Sequence, residues 1–265
     1  MIFRKVILSI LGFYLFLPLG HGQAAQVEIG PGRSVEIISS GPISFTAGPP
    51  ALMLKYRTAI SIDDMISLRR EADEIWDRFV VDVEQSRYEG AIVSANEPTK
   101  GFIVTSNRSF NFVYVKHNGS WRTNEDREIT QKGLTDAFVR SFVERIDWLY
   151  ENRHASSILL YLADDWRLVT RSRVSGVPTP MIDRSTFAAE LRTNAAASTS
   201  THRRKILGIN ISDDRRSASI ESEESETVVI GGMPKSTTSH SVDEIAIIGE
   251  SIVQKDSTTE LMSLK

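Results

Sequence analysis

From His202 to its end the chain is constrained more tightly than anywhere else. Four long segments, "KILGINIS", "SASIESEESETVVI", "TTSHSVDEIAII" and "SIVQKDSTTELM", follow one another with Asp213-Asp214, Gly231-Gly232 and Gly249-Glu250 between them. Long runs bearing β-branched residues and separated by turn formers read as strands of an antiparallel meander. Strands of that length twist and coil, so the expected product is a strongly curved sheet. Its apolar positions then require a cover supplied by other elements.

The cover is expected immediately upstream. Thr135 can cap a helix in which Phe138, Phe142, Ile146 and Leu149 recur at three- and four-residue steps. "ENRH" interrupts it, and a shorter helix is expected over Ser156 to Ala163. "WRLVTRS" reads as a strand and "GVPTP" as a loop, and Ser185 opens a third helix carrying Phe187 and Leu191. Between helix and strand stand Asp164 and Asp165. Adjacent side chains in an extended corner diverge and cannot act together on one bond, so the pair is expected to end the helix rather than to catalyse. Trp166 is then expected at the sheet edge, over the open end of the curved sheet.

The passages "FVERIDWLYENRHASSILLYLADDWRLVTRS" and "STFAAELRTNAAASTSTHRRKILGINIS" resemble the nuclear transport factor 2-like, or SnoaL-like, superfamily over Thr135 to Met262. The resemblance implies a cone of three helices packed on a curved antiparallel sheet, occupying 135–265, with a cavity at the open end. Enzymes of that fold, such as scytalone dehydratase and ketosteroid isomerase, place Asp, Tyr or His there. Other members bind or assemble without catalysis, so fold alone does not assign activity. Carried over by position, Asp147 is the acidic candidate, Tyr150 and Tyr161 are candidate hydroxyl donors, and Trp166 is a candidate wall. His202 lies near the strand start where dehydratase-like members carry a histidine, although strict correspondence puts Lys205 there.

The first half reads as a small β-α-β-β unit over 43–125, so the whole chain is α+β. Residues 25–42 are expected to form an irregular lead-in, from their Gly, Pro and Ser content, and 126–134 a linker. Ser61 is expected to open a helix with Met65, Leu68, Ala72, Ile75, Trp76, Phe79 and Val83 along one stripe. "AIVSA", "FIVTS" and "FNFVYVK" read as strands, the last turning at Asn118-Gly119. Its aromatic residues are expected to pack in a core.

Residues 1–24 carry Arg4 and Lys5, an apolar run broken only by Ser9, Gly12 and Pro18, and small residues around Ala24. That pattern is expected to be a secretory signal peptide, directing the chain to the periplasm or outside the cell without stable membrane insertion after cleavage. The chain has no cysteine, so apolar packing must hold it. Removing Arg4 and Lys5 from the 31 basic residues leaves 29 against 34 acidic ones. Nothing in that balance indicates a nucleic-acid binder.

Histidines 117, 154, 202 and 240 lack metal-ligand spacing, and no phosphate loop or nucleophile elbow occurs. No catalytic residue, metal ligand or cofactor is therefore assigned. Ser222 and Glu224, and Gln254, Asp256 and Thr258, share strand faces with apolar residues. That pattern suits either an exposed sheet centre or a polar cavity lining; exposure or a partner surface is the expectation, because charged groups are seldom buried unpaired. The expected function is a non-catalytic module for a small ligand or a protein partner, possible as a homodimer; the alternative is a dehydratase or isomerase using Asp147 and a tyrosine. A pocket holding both Asp147 and His202 favours the enzyme, and one filled by Phe138, Phe142 and Leu191 disfavours it.

Overall fold

The computed structural model describes residues 25–30, 32–45, 49–98, 107–123, 127–174, 176, 181–194, 200–230 and 233–264. The expected leader, the segment "FIVTS" and the Gly231-Gly232 turn lie outside them. The first sheet has the order β1 (Ala25–Gly30), β2 (Arg33–Ile43), β3 (Ala51–Arg57), β4 (Gly90–Asn96), β5 (Ser109–His117), β6 (Ser120–Thr123). The helix α1 (Met65–Ser86) connects β3 to β4, which pair in parallel. The short helix α2 (Arg127–Lys132) leads to α3 (Asp136–Glu151) and α4 (Ala155–Ile158). Then come β7 (Leu162–Ser172), β8 (Met181–Asp183), α5 (Arg184–Asn194), β9 (Ser200–Ile211), β10 (Ser217–Ile230), β11 (Met233–Ile248) and β12 (Ser251–Leu264). The second sheet has the order β8-β7-β12-β11-β10-β9, antiparallel except where β7 runs parallel to β12.

The structure differs from the sequence reading in four places. Residues 25–30 and 33–43 are not irregular, because Ile29, Val35 and Ile37 bury one face of the antiparallel pair β1–β2, beside which Gly32 takes φ 68°. The linker contains α2, and Gly133 (φ 87°) packs it down: a Cβ there would stand 2.6 Å from the Cβ of Arg215. The cap of α1 is Asp64, which accepts from Ser67 N at 3.1 Å, while Ser61 sits in the preceding turn. The second helix stops at Ile158, so Asp164 and Asp165 lie inside β7 and not at a corner.

Their side chains do diverge. Asp164 accepts from Arg122 of β6 at 2.5 Å, and Arg122 also donates to the Leu159 carbonyl at 3.2 Å. Asp165 is exposed. Asp164 is thus an anchor between the two sheets. Asp164→Ala is expected to destabilise by about 1–2 kcal/mol, since the charged hydrogen bond of a buried guanidinium is lost. Asp165→Ala is expected to stay within about 0.5 kcal/mol; urea midpoints at unchanged slope measure both.

The helix α1 binds the halves together. One face meets the first sheet, where the Trp76 ring stacks on Tyr114 with centroids 3.9 Å apart. Its other face carries Asp73 and Asp77 toward α3 and α4. Asp73 accepts from Arg145 Nε at 3.1 Å, and Asp77 meets His154 Nδ1 and Ser157 N at 2.7 Å each. One contiguous apolar core runs from Trp76 and Phe112 through Phe142 and Leu149 to Ile220 and Ile245.

Candidate functional site

A cavity of about 250 Å³ opens between the concave face of the second sheet and the helices α3 and α5. Ile146, Leu162, Trp166, Leu168, Phe187 and Leu261 form an apolar wall, while Asp147, His202, Arg204, Glu224, Glu226 and Gln254 form a polar one. Strand alternation selects them: His202 and Arg204 of β9 point inward, whereas the Lys205 side chain is 75% exposed and faces Glu223. Ser222 is fully buried and Gln254 is 7% exposed. The strand faces expected to be open to solvent are therefore closed here: Glu224 and Gln254 line the cavity, and Ser222 lies behind Arg204, accepting from its Nη1 at 3.3 Å.

Bulges complete the arrangement. The register shifts opposite Glu244 and Ile245, so parity along β12 changes after Gln254. Ser257, Thr259 and Leu261 therefore face inward with Gln254, while Asp256 is exposed. A strict alternation from Gln254 would have selected Asp256 and Thr258.

Arg204 occupies the centre of the polar wall. Its Nε lies 3.0 and 3.1 Å from the two Asp147 oxygens, and its Nη1 lies 3.1 Å from Glu224 Oε1 and also donates to Asp243. Asp243 is oriented from behind by Gln254 Nε2 at 2.8 Å and Ser257 Oγ at 2.5 Å. His202 Nε2 is 3.3 Å from Glu224 Oε2. Its Nδ1, 3.9 Å from Asp147 Oδ1, is buried and has no hydrogen-bond partner among the described residues. Among those residues no group of carboxylates and histidines is placed to hold a metal ion.

Burial pushes the Asp147 carboxyl up to about 6, because Arg204 is shared with Glu224 and Asp243 and offsets the desolvation only in part. Burial pulls the His202 imidazole down, but Glu224 and Asp147 outweigh it and hold the ring above its ordinary 6.5. Burial raises Glu224, yet His202 and Arg204 leave it below 4.5.

The signs give a pH dependence. Asp147 takes up a proton more readily when folded, so stability declines as pH rises from 3.8 to about 6. His202 stabilises fully below 6.5, and its contribution is lost as pH rises through its raised value. Glu224 acts oppositely, losing its contribution only as pH falls below 4.5. Thermal unfolding is therefore expected at a lower temperature near pH 8 than near pH 5, with a smaller difference in Asp147→Asn. Equal shifts in both proteins would remove Asp147 from the account.

Of the residues singled out from sequence, Asp147, Tyr150, Trp166 and His202 line the cavity together. Trp166 does so as a buried wall, 3% exposed, rather than as a lid at the edge. Tyr161 lies elsewhere, fully buried beneath the Arg145 guanidinium, with its hydroxyl 3.4 Å from Asp73. Phe138, Phe142 and Leu191 do not line the cavity. Arg204 and Glu226 were not foreseen, and Gln254 was expected on an exposed or partner-facing strand face. Their signal was the parity they share with His202, Glu224 and Ile252.

Helices α3, α4 and α5 backing a curved six-stranded sheet, with a cavity inside, complete the geometry of the second half. The C-terminal half resembles the nuclear transport factor 2-like fold. Solved structures similar to about half of the chain include a putative scytalone dehydratase from Novosphingobium aromaticivorans, 8% identical, with TM-score 0.42, covering 53% of this chain and 89% of that one. A nuclear transport factor 2-like protein from Cytophaga hutchinsonii is 10% identical, with TM-score 0.39, over 49% of this chain and 100% of that one. A conserved protein from Planctomyces limnophilus is 12% identical, with TM-score 0.41, over 47% and 93%. No family model matches the sequence, and no curated protein matches it. The cone is therefore interpreted from its own residues.

Proposed function

We propose that the chain is an exported binding module whose cone holds one small organic cation, an ammonium or amidinium group on an apolar body, without turning it over. One observation carries the ligand class: Glu226 faces the cavity with no cation partner among the described residues, its carboxylate accepting from Tyr150 Oη at 3.1 Å. Aromatic rings stand beside it. Phe187 stacks on Tyr150 with centroids 6.1 Å apart, and Trp166 lies 5.1 Å from Phe187. Aromatic faces around a carboxylate favour a desolvated cation. The other carboxylates of the wall are engaged by Arg204, which disfavours their acting as free bases.

Export rests on the pattern of residues 1–24 alone. A paired copy rests only on exposed Leu207, Val242 and Met262 of the second sheet. The enzyme reading has the support that the sequence criterion named: Asp147 and His202 share the cavity, the His202 Nδ1 has no hydrogen-bond partner among the described residues, and Phe138, Phe142 and Leu191 do not fill the space. Against it, Arg204 engages Asp147 and Glu224 engages His202.

Melting temperature measured with benzylamine, phenylguanidine, benzoate and benzyl alcohol tests the binding reading. The two cations are expected to stabilise the native protein and to lose that effect in Glu226→Gln. Stabilisation by the alcohol and benzoate alone would contradict it. A bound compound recovered with altered mass, and unaltered from His202→Gln, would transfer the site to the enzyme reading.

A further inference from the structure

A second concavity, of about 230 Å³, lies where α1, β5 and α3 meet, on the opposite side of α3 from the cone. Its chemistry is the reverse of the cone's. We infer that this junction is a binding site for a small organic monocarboxylate, an aromatic or alkyl acid, seated with its carboxylate toward Arg69, Arg70 and Arg145 and its body against Phe110 and Phe138.

Charge is the first support. Three guanidiniums line the concavity against one lining carboxylate, Glu144. Asp73 stands behind and engages Arg145 Nε at 3.1 Å, so basic groups outnumber the two carboxylates named at the site. Arg69 is only 7% exposed, and Arg145 is near enough for its like charge to act on it. A desolvated cationic floor of this kind strengthens attraction for an incoming anion. Guanidiniums also match a planar carboxylate in geometry.

The walls supply the second support. The Arg69 guanidinium carbon lies over the Phe112 ring, 4.5 Å from its centroid, and that of Arg70 over Trp148 at 5.4 Å, so both are held by rings instead of ranging through solvent. Phe138 and Phe142 pack with centroids 6.2 Å apart along one side. At the rim Met65 is 38% and Ile66 65% exposed, apolar surface beside a charged floor. Surface of that composition suits an amphiphilic ligand and not a bare inorganic anion.

The site spans both halves of the chain, because Arg69 and Arg70 belong to α1 and Arg145 to α3. Occupancy would therefore stabilise the docking of α1 as well as the ligand. Calorimetric titration of the full chain with benzoate and octanoate, beside phosphate and benzyl alcohol, is the test. Saturable binding of both carboxylates is expected, at least tenfold weaker in Arg70→Gln and in the pocket-filling Ser141→Phe, and unchanged in Glu226→Gln. Absence of saturable carboxylate binding would overturn the inference. So would binding that survives Arg70→Gln and Ser141→Phe, or that phosphate reproduces. Because both variants alter partly or fully exposed side chains, circular dichroism verifies that each is folded. Failure of amines to bind the cone leaves this result unaffected.

Discussion

Arg204→Ala is expected to lower the unfolding free energy by about 3–5 kcal/mol, the loss that follows when one partner of a buried charge cluster is removed. The substitution leaves Asp147, Glu224 and Asp243 facing one another, with side-chain exposures of 19, 16 and 4%. Three carboxylates without their shared cation cannot all remain ionised. They relieve the repulsion by binding protons, so the loss is expected to be greater near pH 8 than near pH 5. Arg204→Lys should restore only part of the stability, because a single ammonium cannot reproduce the fork that reaches three partners. Urea titration at the two pH values gives the measurement. An Arg204→Ala protein as stable as the parent would mean the cluster is not coupled through this residue.

The second large effect is expected at Asp73. Its side chain is fully buried, and Arg145, 15% exposed, is bonded to it. Asp73→Ala removes the buried carboxylate that Arg145 is bonded to, next to a second guanidinium on Arg69, and is expected to cost about 3–5 kcal/mol. The location of the damage is as informative as its size. Because one core crosses the boundary between the sheets, amides of β4 and of β10 are expected to lose hydrogen-exchange protection together. Loss confined to β4, with β10 protected as in the parent, would mean that the first half unfolds by itself.

Much of the scaffold was legible because its signals are local. The stripe from Leu68 to Val83 is buried as its spacing implied, and Thr135 caps α3 by accepting from Phe138 N at 3.2 Å. Asn118 and Gly119 have φ angles of 51° and 83°, as a two-residue hairpin turn requires. What stayed hidden depends on contacts distant in sequence. Glu71, Asp73 and Glu74 look like the solvent face of α1, yet they are buried because other elements cover that side. Their partners lie far along the chain, as Arg145 does, and no periodicity reveals them.

The cavity was half legible for the same reason. Asp147 and Tyr150 stand on a helix face that can be read, whereas the inward set on β12 depends on a bulge opposite Glu244 and Ile245. Arg204 and Lys205 are both basic residues in one short run, and only the side of the sheet distinguishes them. Burying Arg204 reverses the usual preference of charges for solvent, and three carboxylates around it make that burial sustainable.

Native mass spectrometry of the chain purified from its own host, compared with Glu226→Gln prepared identically, shows whether a cation occupies the cone. One small basic molecule per chain is expected, released by collision and absent from the variant. A parent chain that consistently carries no adduct, or an adduct retained undiminished by the variant, would contradict a cone built around a cation.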